Sequence, residues 1–381
     1  HLTELYKYAS YLRMRFNYNW NLKDANFTGS RGKVFSCFSC GGGSTMGYKL
    51  AGFDVIGCLD IDHRMMEIYK KNHNPKYAYE EGIQTFKLRD DLPEELYNLD
   101  ILDGSPPCST FTMTGDREKS WGVKKHFREG QQEQVLDTLF FDFIDLAEKL
   151  KPKVVVAENV KGILIANAME YTIEIHKSFK RAGYYSKHYV LNSETMGVPQ
   201  KRERVFFVAI RKDLAQPFLQ STSLFDEEPT LDLTFNEEPI LFGDIADYQG
   251  DEITSPSMRM LWEKRIFGDR TQRNASERLY KKRVNFGRVY AYENEVAPTL
   301  MANKASVIHF SKPLFLSQSE VCKISTFPQD YDFCGKPPHY VCGMCVPPIM
   351  MAQVASRIFE EWLSKFGGMK NSFYICSVRG K

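Results

Sequence analysis

Strand-like and helix-like runs alternate from Lys33 to Arg211, and this alternation constrains the fold of the chain more than any other feature. "KVFSCF" (33–38) leads into the glycine-rich "CGGGSTMGYKLAG", which is followed by "DVIGCLD" (54–60) and the helical "DHRMMEIYKKN". After "DILDGS" (100–105) comes an amphipathic run from about Gln131 to Leu150. "KVVVAENV" (153–160), a helix near 170–182, "YYSKHYVLN" and "RVFFVAIR" (204–211) complete the series. Strands alternating with helices predict an α/β domain, a parallel sheet with helices on both faces. Ligands of such sheets bind beyond the carboxyl ends of the strands, and each unusual segment here falls just after a strand. The alternation fades after Arg211, so a second domain is expected from about residue 232. The run 347–366, begun by prolines, reads as a helix that returns to pack on the sheet.

At 43% hydrophobic and 26% charged residues, the composition is that of a globular chain. No uninterrupted apolar run of membrane-spanning length is expected, and "HLTELYKYASYLRMRFNYNW" mixes charge into its apolar residues, so a cytoplasmic protein with no membrane partner is predicted. The nine cysteines, an odd number, suit a reducing compartment. Cys37/Cys40 and Cys342/Cys345 are both C-x-x-C, a zinc-ligand spacing. Each pair sits in a segment with another explanation, so no metal is expected. Net charge is only +2, but residues 259–288 hold ten Lys or Arg against three acids, interleaved with Trp262, Phe267, Tyr280 and Phe286. Such a stretch suits a phosphate backbone, or a solvated helix face.

Gly41, Gly42 and Gly43 permit a tight turn after the first strand, and Asp60 ends the second strand where such folds place a carboxylate on ribose hydroxyls. With Gly41 and Gly43 as the first two glycines of G-x-G-x-x-G, the third position is Met46. That disfavours NAD and leaves another adenosine-containing cofactor. Pro106 and Pro107 stiffen the turn that holds Cys108, as a presented thiol or a buried one. Glu158 ends a hydrophobic strand, where poor solvation favours a held proton, although backbone amides would serve an ionised carboxylate equally. In "QKRERV" (200–205), alternation puts Arg202 and Arg204 on one face, fit for an anion or a carbonyl edge.

Glycine-rich turn, Pro-Cys, Glu-Asn-Val and Gln-x-Arg-x-Arg, in this order, resemble the cytosine-C5 DNA methyltransferases. The likeness continues with "RVYAYENEVAPTL" (288–300) and "GMCVPP" (343–348), and covers roughly residues 33–360. It implies an S-adenosylmethionine-dependent, Rossmann-like, mostly parallel sheet with a smaller target-recognition domain. The division it suggests is an extension at 1–32, a catalytic and cofactor-binding domain at 33–231, target recognition at 232–338 and a returning segment at 339–381. By the resemblance Cys108 is the nucleophile, Glu158 the acid at cytosine N3 and Arg204 the residue that orients the base, with Arg202 in support. Phe38, Gly41, Gly42, Gly43, Asp60, Ile61 and Pro107 would line the S-adenosylmethionine pocket. Asn159, Gln200 and Arg288 would bind substrate, and residues 112–130 resemble the family's closing loop. The implied partner is double-stranded DNA, with a restriction-modification role; a tRNA methyltransferase and a catalytically silent DNA-binding relative are the competing readings. The chain departs from the family pattern at Cys40, Ser109 and Met344, and "YEEGIQTF" (79–86) lacks a clear Gly-Asp-Ile acid.

Overall fold

The structure is a computed structural model and describes residues 15–107, 138–165, 168–221, 227–281, 287–303 and 306–366. Between 107 and 138 it describes only two short strands, Lys124–Lys125 and Gln134–Val135. Cys108, Ser109, Lys282, Arg283 and most of 112–130 therefore lie outside the described residues, as do 1–14 and 367–381.

Seven strands form the central sheet: β1 (Lys33–Cys37), β2 (Asp54–Leu59), β3 (Tyr77–Tyr79), β4 (Ile101–Gly104), β5 (Val154–Val160), β6 (Tyr184–Asn192) and β7 (Glu203–Arg211). Their order is β3-β2-β1-β4-β5-β7-β6. β3, β2, β1, β4 and β5 run parallel, whereas β7 is antiparallel to both β5 and β6. The sheet is thus mostly parallel, as expected, with β7 the one strand that runs against the others. The order reverses between β1 and β4, and the turns leaving these two strands flank the switch point where α/β sheets bind ligands.

Strand alternation divides the core. Val34, Val154, Val156, Phe206 and Val208 face α1 (Gly43–Leu50) and α9 (Pro348–Glu361); Phe35, Leu102, Val155, Ala157 and Phe207 face α3 (Leu139–Leu150) and α4 (Ala168–Arg181). Local signals set the helix ends. α2 (His63–His73) is capped by Asp62, whose carboxylate accepts from Arg64 N at 3.0 Å, and it ends at Asn74 in the left-handed region. α3 begins only at Leu139, later than the apolar periodicity suggests, because Gln134–Val135 pairs with Lys124–Lys125 as an antiparallel ribbon.

Beyond β7, short elements replace the alternation. α5 (Pro256–Glu263) and α6 (Gln272–Tyr280) precede a two-stranded parallel sheet, β8 (Val289–Ala291) with β9 (Val307–His309). α7 (Gln318–Ser325) and α8 (Pro338–Met344) lead to α9. The larger core cluster runs without interruption from the sheet into residues of this region, including Leu231, Phe242, Ala297, Leu300, Val307 and Phe327. Pro338–Lys365, against the expectation of no such run, is long and apolar enough in composition to cross a bilayer, but 89% of an 18-residue apolar window within it is buried inside the protein. Pro347 and Pro348 break it, and α9 packs on α1 as core.

Candidate active site

The carboxyl ends of β1, β2, β4 and β5 share one edge of the sheet. Because β7 is antiparallel, its amino end lies there too, with Arg204 opposite Val160 and Phe206 opposite Glu158. Glu158 and Arg204 thus project from the same face of neighbouring strands. Arg204 Nε donates to Glu158 Oε1 at 3.0 Å, and both side chains are largely buried. Burial depresses the pKa of the Arg204 guanidinium and Glu158 counters that by favouring its charged form. Glu158, open in the sequence to a poorly solvated acid or a carboxylate on backbone amides, is thus buried against the Arg204 guanidinium.

Asn159 faces the other way. Its Nδ2 donates to Pro106 O at 3.1 Å while its Oδ1 accepts from Val160 N at 2.9 Å. The Glu-Asn-Val motif consequently does two jobs: the acid meets Arg204, and the amide pins the Pro-Pro turn that leads to Cys108. Pro107 is half-buried at the end of the described turn.

Arg202 is 2% exposed, and its guanidinium donates to Leu300 O (3.2 Å), Gly343 O (3.0 Å) and Cys345 O (3.2 Å). Burial lowers its pKa to about 9, and the nearby Arg204 adds to the effect. Gln200 is fully buried; its Oε1 accepts from Leu300 N at 3.0 Å and its Nε2 donates to Ile324 O at 3.2 Å. Arg288 is drawn toward Gln272 Oε1 at 3.5 Å, with Nε buried. These three side chains, Gln200 and Arg288 expected at the substrate and Arg202 in support of Arg204, are engaged by the protein itself. Arg202 and Gln200 clamp the Ala-Pro-Thr-Leu segment and the closing motif onto the start of β7.

The glycine turn is packed against protein on the side where Cβ atoms would stand. Gly42 adopts φ +84°, and a Cβ there would lie 2.3 Å from His73 Nε2; a Cβ at Gly43 would lie 2.3 Å from Val346 O. Tyr331 donates its hydroxyl hydrogen to Gly41 O and so accepts from His73 Nε2 at 3.1 Å, bracing the turn from behind. Burial holds His73 well below the usual histidine range, and hence neutral. The glycines answer to this packing first. Asp60 ties the turn to β2, accepting from Cys40 N at 2.7 Å and Asp62 N at 2.9 Å. Phe38, in the left-handed region, is half-buried with its ring 6.5 Å from that of Phe143, and Ile61 is half-buried beside Gly82. Glu81 is held by Arg89 at 2.9 Å and Thr85 at 3.0 Å.

The four C-x-x-C thiols do not gather. Cys345 contacts Cys40, which with burial holds its thiol well above the ordinary range, whereas Cys342 contacts Cys322.

Sequence reasoning missed Asp103. Ser36 Oγ donates to it at 2.7 Å and Tyr48 Oη at 3.2 Å. Asp103 pairs in register with Val156, so it shares a face with Glu158 two residues on. Burial, reinforced by the charge of Glu158, raises its pKa to about 7. The signal was available: an aspartate inside the apolar run before the Pro-Pro turn.

The basic stretch is also less free than its composition suggests. Arg259 pairs with Glu263 (3.1 Å), Arg270 with Glu295 (2.6 Å) and Arg278 with Asp269 (2.5 Å), while Arg265 lies 3.3 Å over the Trp262 ring.

A sheet of this order, with an acid–arginine pair and a braced glycine turn on its ligand-binding edge, is the Rossmann-like architecture of S-adenosylmethionine-dependent methyltransferases. The model of the C-5 cytosine-specific DNA methylase family matches residues 32–360, and the chain belongs to that family. Among curated relatives, the Type II methyltransferase M.NgoFVII of Neisseria gonorrhoeae is 28% identical over 349 residues, 88% of this chain and 89% of the relative. M.FnuDI of Fusobacterium nucleatum is 35% identical over 182 residues, which span 48% of each protein. Among solved structures, a Spodoptera frugiperda DNMT2 variant aligns with a TM-score of 0.59 at 19% identity, covering 86% of this chain and 99% of that one. At that identity the likeness speaks for the fold alone.

Proposed function

We propose that this chain transfers a methyl group from S-adenosylmethionine to C5 of a cytosine flipped out of a specific duplex DNA sequence, in the cytoplasm of a bacterial cell and as the modification arm of a restriction system. The observation that carries this reading is the Glu158–Arg204 pair at 3.0 Å, on the edge where Asn159 holds the Pro106 carbonyl at 3.1 Å. The Type II relatives support the restriction-modification setting.

The residues present fit the cofactor. Asp60 offers a carboxylate, which accepts about four hydrogen bonds, beside the half-buried apolar side chains of Phe38 and Ile61 and beyond the glycine turn. Asp60 would hold the ribose, Ile61 would pack on adenine, and Phe38, Gly41, Gly42, Gly43 and Pro107 would line the remainder. When bound, S-adenosylmethionine supplies an electrophilic methyl group.

Cytosine C5 is a poor nucleophile, and covalent activation by this chain's side chains overcomes that. Glu158, ionised beside Arg204 before the base arrives, takes up a proton from solvent as cytosine binds and passes it to N3 as the Cys108 thiolate adds to C6, and the enamine so formed carries its electron density to C5. Arg204, held by Glu158, orients the base and balances charge at O2. Arg202 and Gln200 act one layer behind, keeping the start of β7 in place. After C5 is methylated, water takes its proton, the C5–C6 double bond re-forms as the Cys108 thiolate leaves C6, and N3 returns its proton to Glu158. Because the reacting atoms are hidden in a duplex, the base must leave the stack first.

The test is methyl transfer from labelled S-adenosylmethionine to cytosine-rich duplex DNA by the wild type and by Cys108→Ser. Label at cytosine C5 with the wild type only supports the reading. Label on tRNA and none on duplex DNA would move the activity to RNA, and cofactor binding without transfer to either would leave a silent relative.

A further inference from the structure

Cys40 follows β1 and Cys345 follows α8, yet their side chains are in contact. Cys40 stands in the glycine turn at φ +47°, a backbone region that favours glycine, and its side chain is half-buried. Its amide donates to Asp60 Oδ2 at 2.7 Å, so a movement of Cys40 is passed to that carboxylate. Cys345 is 4% exposed and packs under the same turn. Its Cβ lies 2.7 Å from where a Cβ on Gly43 would stand, and its sulfur accepts from the amides of Gly43 and Gly41. The Tyr331 hydroxyl, which donates to Gly41 O, lies within the field of both thiols.

The other described cysteines differ in access or in company. Cys37, Cys58, Cys322 and Cys342 are each no more than 1% exposed, so the second contacting pair, Cys322 with Cys342, is closed to a reagent from solvent. Cys334 is half-buried but faces Asp332, Glu67, Lys71 and Lys336. Cys40 combines a route to solvent with a second thiol against it. Thiol oxidation follows access and thiolate character, and a resolving cysteine in contact turns the first product into a disulfide. The hydrogen bond to Cys40, and then burial, hold the Cys345 thiol well above its ordinary range. Oxidation of Cys40 removes the first of these causes, and the amides of Gly43 and Gly41 then favour the attacking thiolate.

We propose that Cys40 and Cys345 form a peroxide-sensitive modification site, whose disulfide ties the glycine turn to the closing segment and weakens S-adenosylmethionine binding. The effect on binding rests on the cofactor reading above. A hydroperoxide gives one oxygen to the Cys40 sulfur and departs as its alcohol, or as water from hydrogen peroxide, leaving a sulfenic acid. The Cys345 sulfur then attacks the Cys40 sulfur, the S–O bond breaks, and the hydroxide leaves as water with the Cys345 proton. Two thiols are oxidised by two electrons in all, and one O–O bond is reduced. Cys345 is enclosed, so the turn that carries Cys40 does the moving, and it draws on Asp60 and Phe38 beside it. A dithiol reductant reverses the step.

The experiment treats the full chain, reduced beforehand, with hydrogen peroxide, alkylates the remaining thiols and maps disulfides by peptide mass spectrometry. S-adenosylmethionine affinity is measured before oxidation, after it, and after dithiothreitol. Affinity is read in place of turnover because oxidation of Cys108 would stop turnover by itself. The wild type should give peptides linked through Cys40 and Cys345, bind S-adenosylmethionine about 5-fold more weakly or worse, and recover with dithiothreitol. Cys345→Ala should bind the cofactor as the reduced wild type does and melt near it. After peroxide it should form no link, and dimedone should capture Cys40 as the sulfenic acid. A wild type in which Cys40 stays reduced would overturn the proposal. So would a link from Cys40 to Cys37, or from Cys322 to Cys342, in place of the expected one, or a Cys40–Cys345 link that leaves cofactor affinity unchanged. A reduced wild type that binds no S-adenosylmethionine marks the cofactor reading as wrong, and the mapped link alone then decides the modification site.

Discussion

Arg204 Nε sits 3.0 Å from Glu158 Oε1 at the junction of an antiparallel strand pair, with the two side chains 15% and 10% exposed. Removing one partner strands the other in a poorly solvated place, and breaking a buried pair in this way costs about 3–5 kcal/mol. Arg204→Met should lower unfolding stability by an amount in that range and abolish methyl transfer. Glu158→Gln, nearly the same shape and still a hydrogen-bond acceptor, should lose methyl transfer with a smaller loss of stability. Urea unfolding and a methyl-transfer assay on each variant check this, and a fully active Glu158→Gln would remove Glu158 from the chemistry.

Asp103 gives stability a pH dependence of defined sign. Its carboxyl titrates near pH 4 in the unfolded chain and at about 7 in the fold. Below pH 4 both states hold the proton. From there to pH 7 the unfolded chain releases it first, so stability falls as pH rises, by on the order of 4 kcal/mol in all, and levels off above. Asp103→Asn should flatten this part of the profile, measured by urea midpoints at pH 5, 6, 7 and 8. An unchanged slope would show that Asp103 does not titrate in this window.

The hydrogen bond from Asn159 to Pro106 O joins the Glu-Asn-Val strand to the Pro-Pro turn. Asn159→Ala should cost about 1–3 kcal/mol, since a buried carbonyl loses its donor. It should also lower kcat for methyl transfer more than it weakens S-adenosylmethionine binding. Equal kcat in the variant and wild type would assign the contact to stability alone.

Gly43 meets the closing motif: a Cβ there would lie 2.3 Å from Val346 O and 2.7 Å from Cys345 Cβ. Gly43→Ala should destabilise the fold by about 1–3 kcal/mol through overpacking against α9's leading turn. The loss would appear as a lower melting temperature with or without S-adenosylmethionine. Destabilisation seen only with cofactor present would instead mean that the glycine serves the ligand.

Lys264 and Lys281 are exposed, while Arg278 is committed to Asp269. If the basic surface follows phosphates, Lys264→Ala and Lys281→Gln should each reduce the salt slope of DNA binding by about 0.9. Arg278→Ala should leave that slope in place and lower thermal stability. Salt titrations of DNA affinity decide between this division of labour and its reverse.

Much of the architecture was legible because alternating strand and helix patterns report burial on two faces of a sheet. Val34, Phe35, Val154 and Val155 occupy the faces their alternation assigns. The late start of α3 was not legible, since apolar spacing between Gln131 and Leu139 is compatible with either a helix or a ribbon. Among site residues, the motif order pointed to Glu158 and Arg204. It did not separate them from Gln200 and Arg202, whose side chains are taken up by Leu300, Ile324, Gly343 and Cys345. Those acceptors are backbone groups far along the chain, and hydrogen bonding to a carbonyl leaves no trace in residue type.

By itself, the sequence determined the layered α/β class, the run of motifs that marks the methylase family, and the two stiff points, the glycine turn and the Pro-Pro turn, that follow β1 and β4. These are consequences of local physics: periodic burial, backbone freedom at Gly42 and its loss at Pro106 and Pro107. Only the tertiary structure decided that β7 runs antiparallel, which carries Arg204 from the start of one strand to the acid at the end of another. Strand direction depends on how the long connection through β6 packs, and no pattern within β7 encodes it. The same holds for Asp103, whose raised pKa exists because Ser36, Tyr48 and Glu158 converge on it once the sheet has formed.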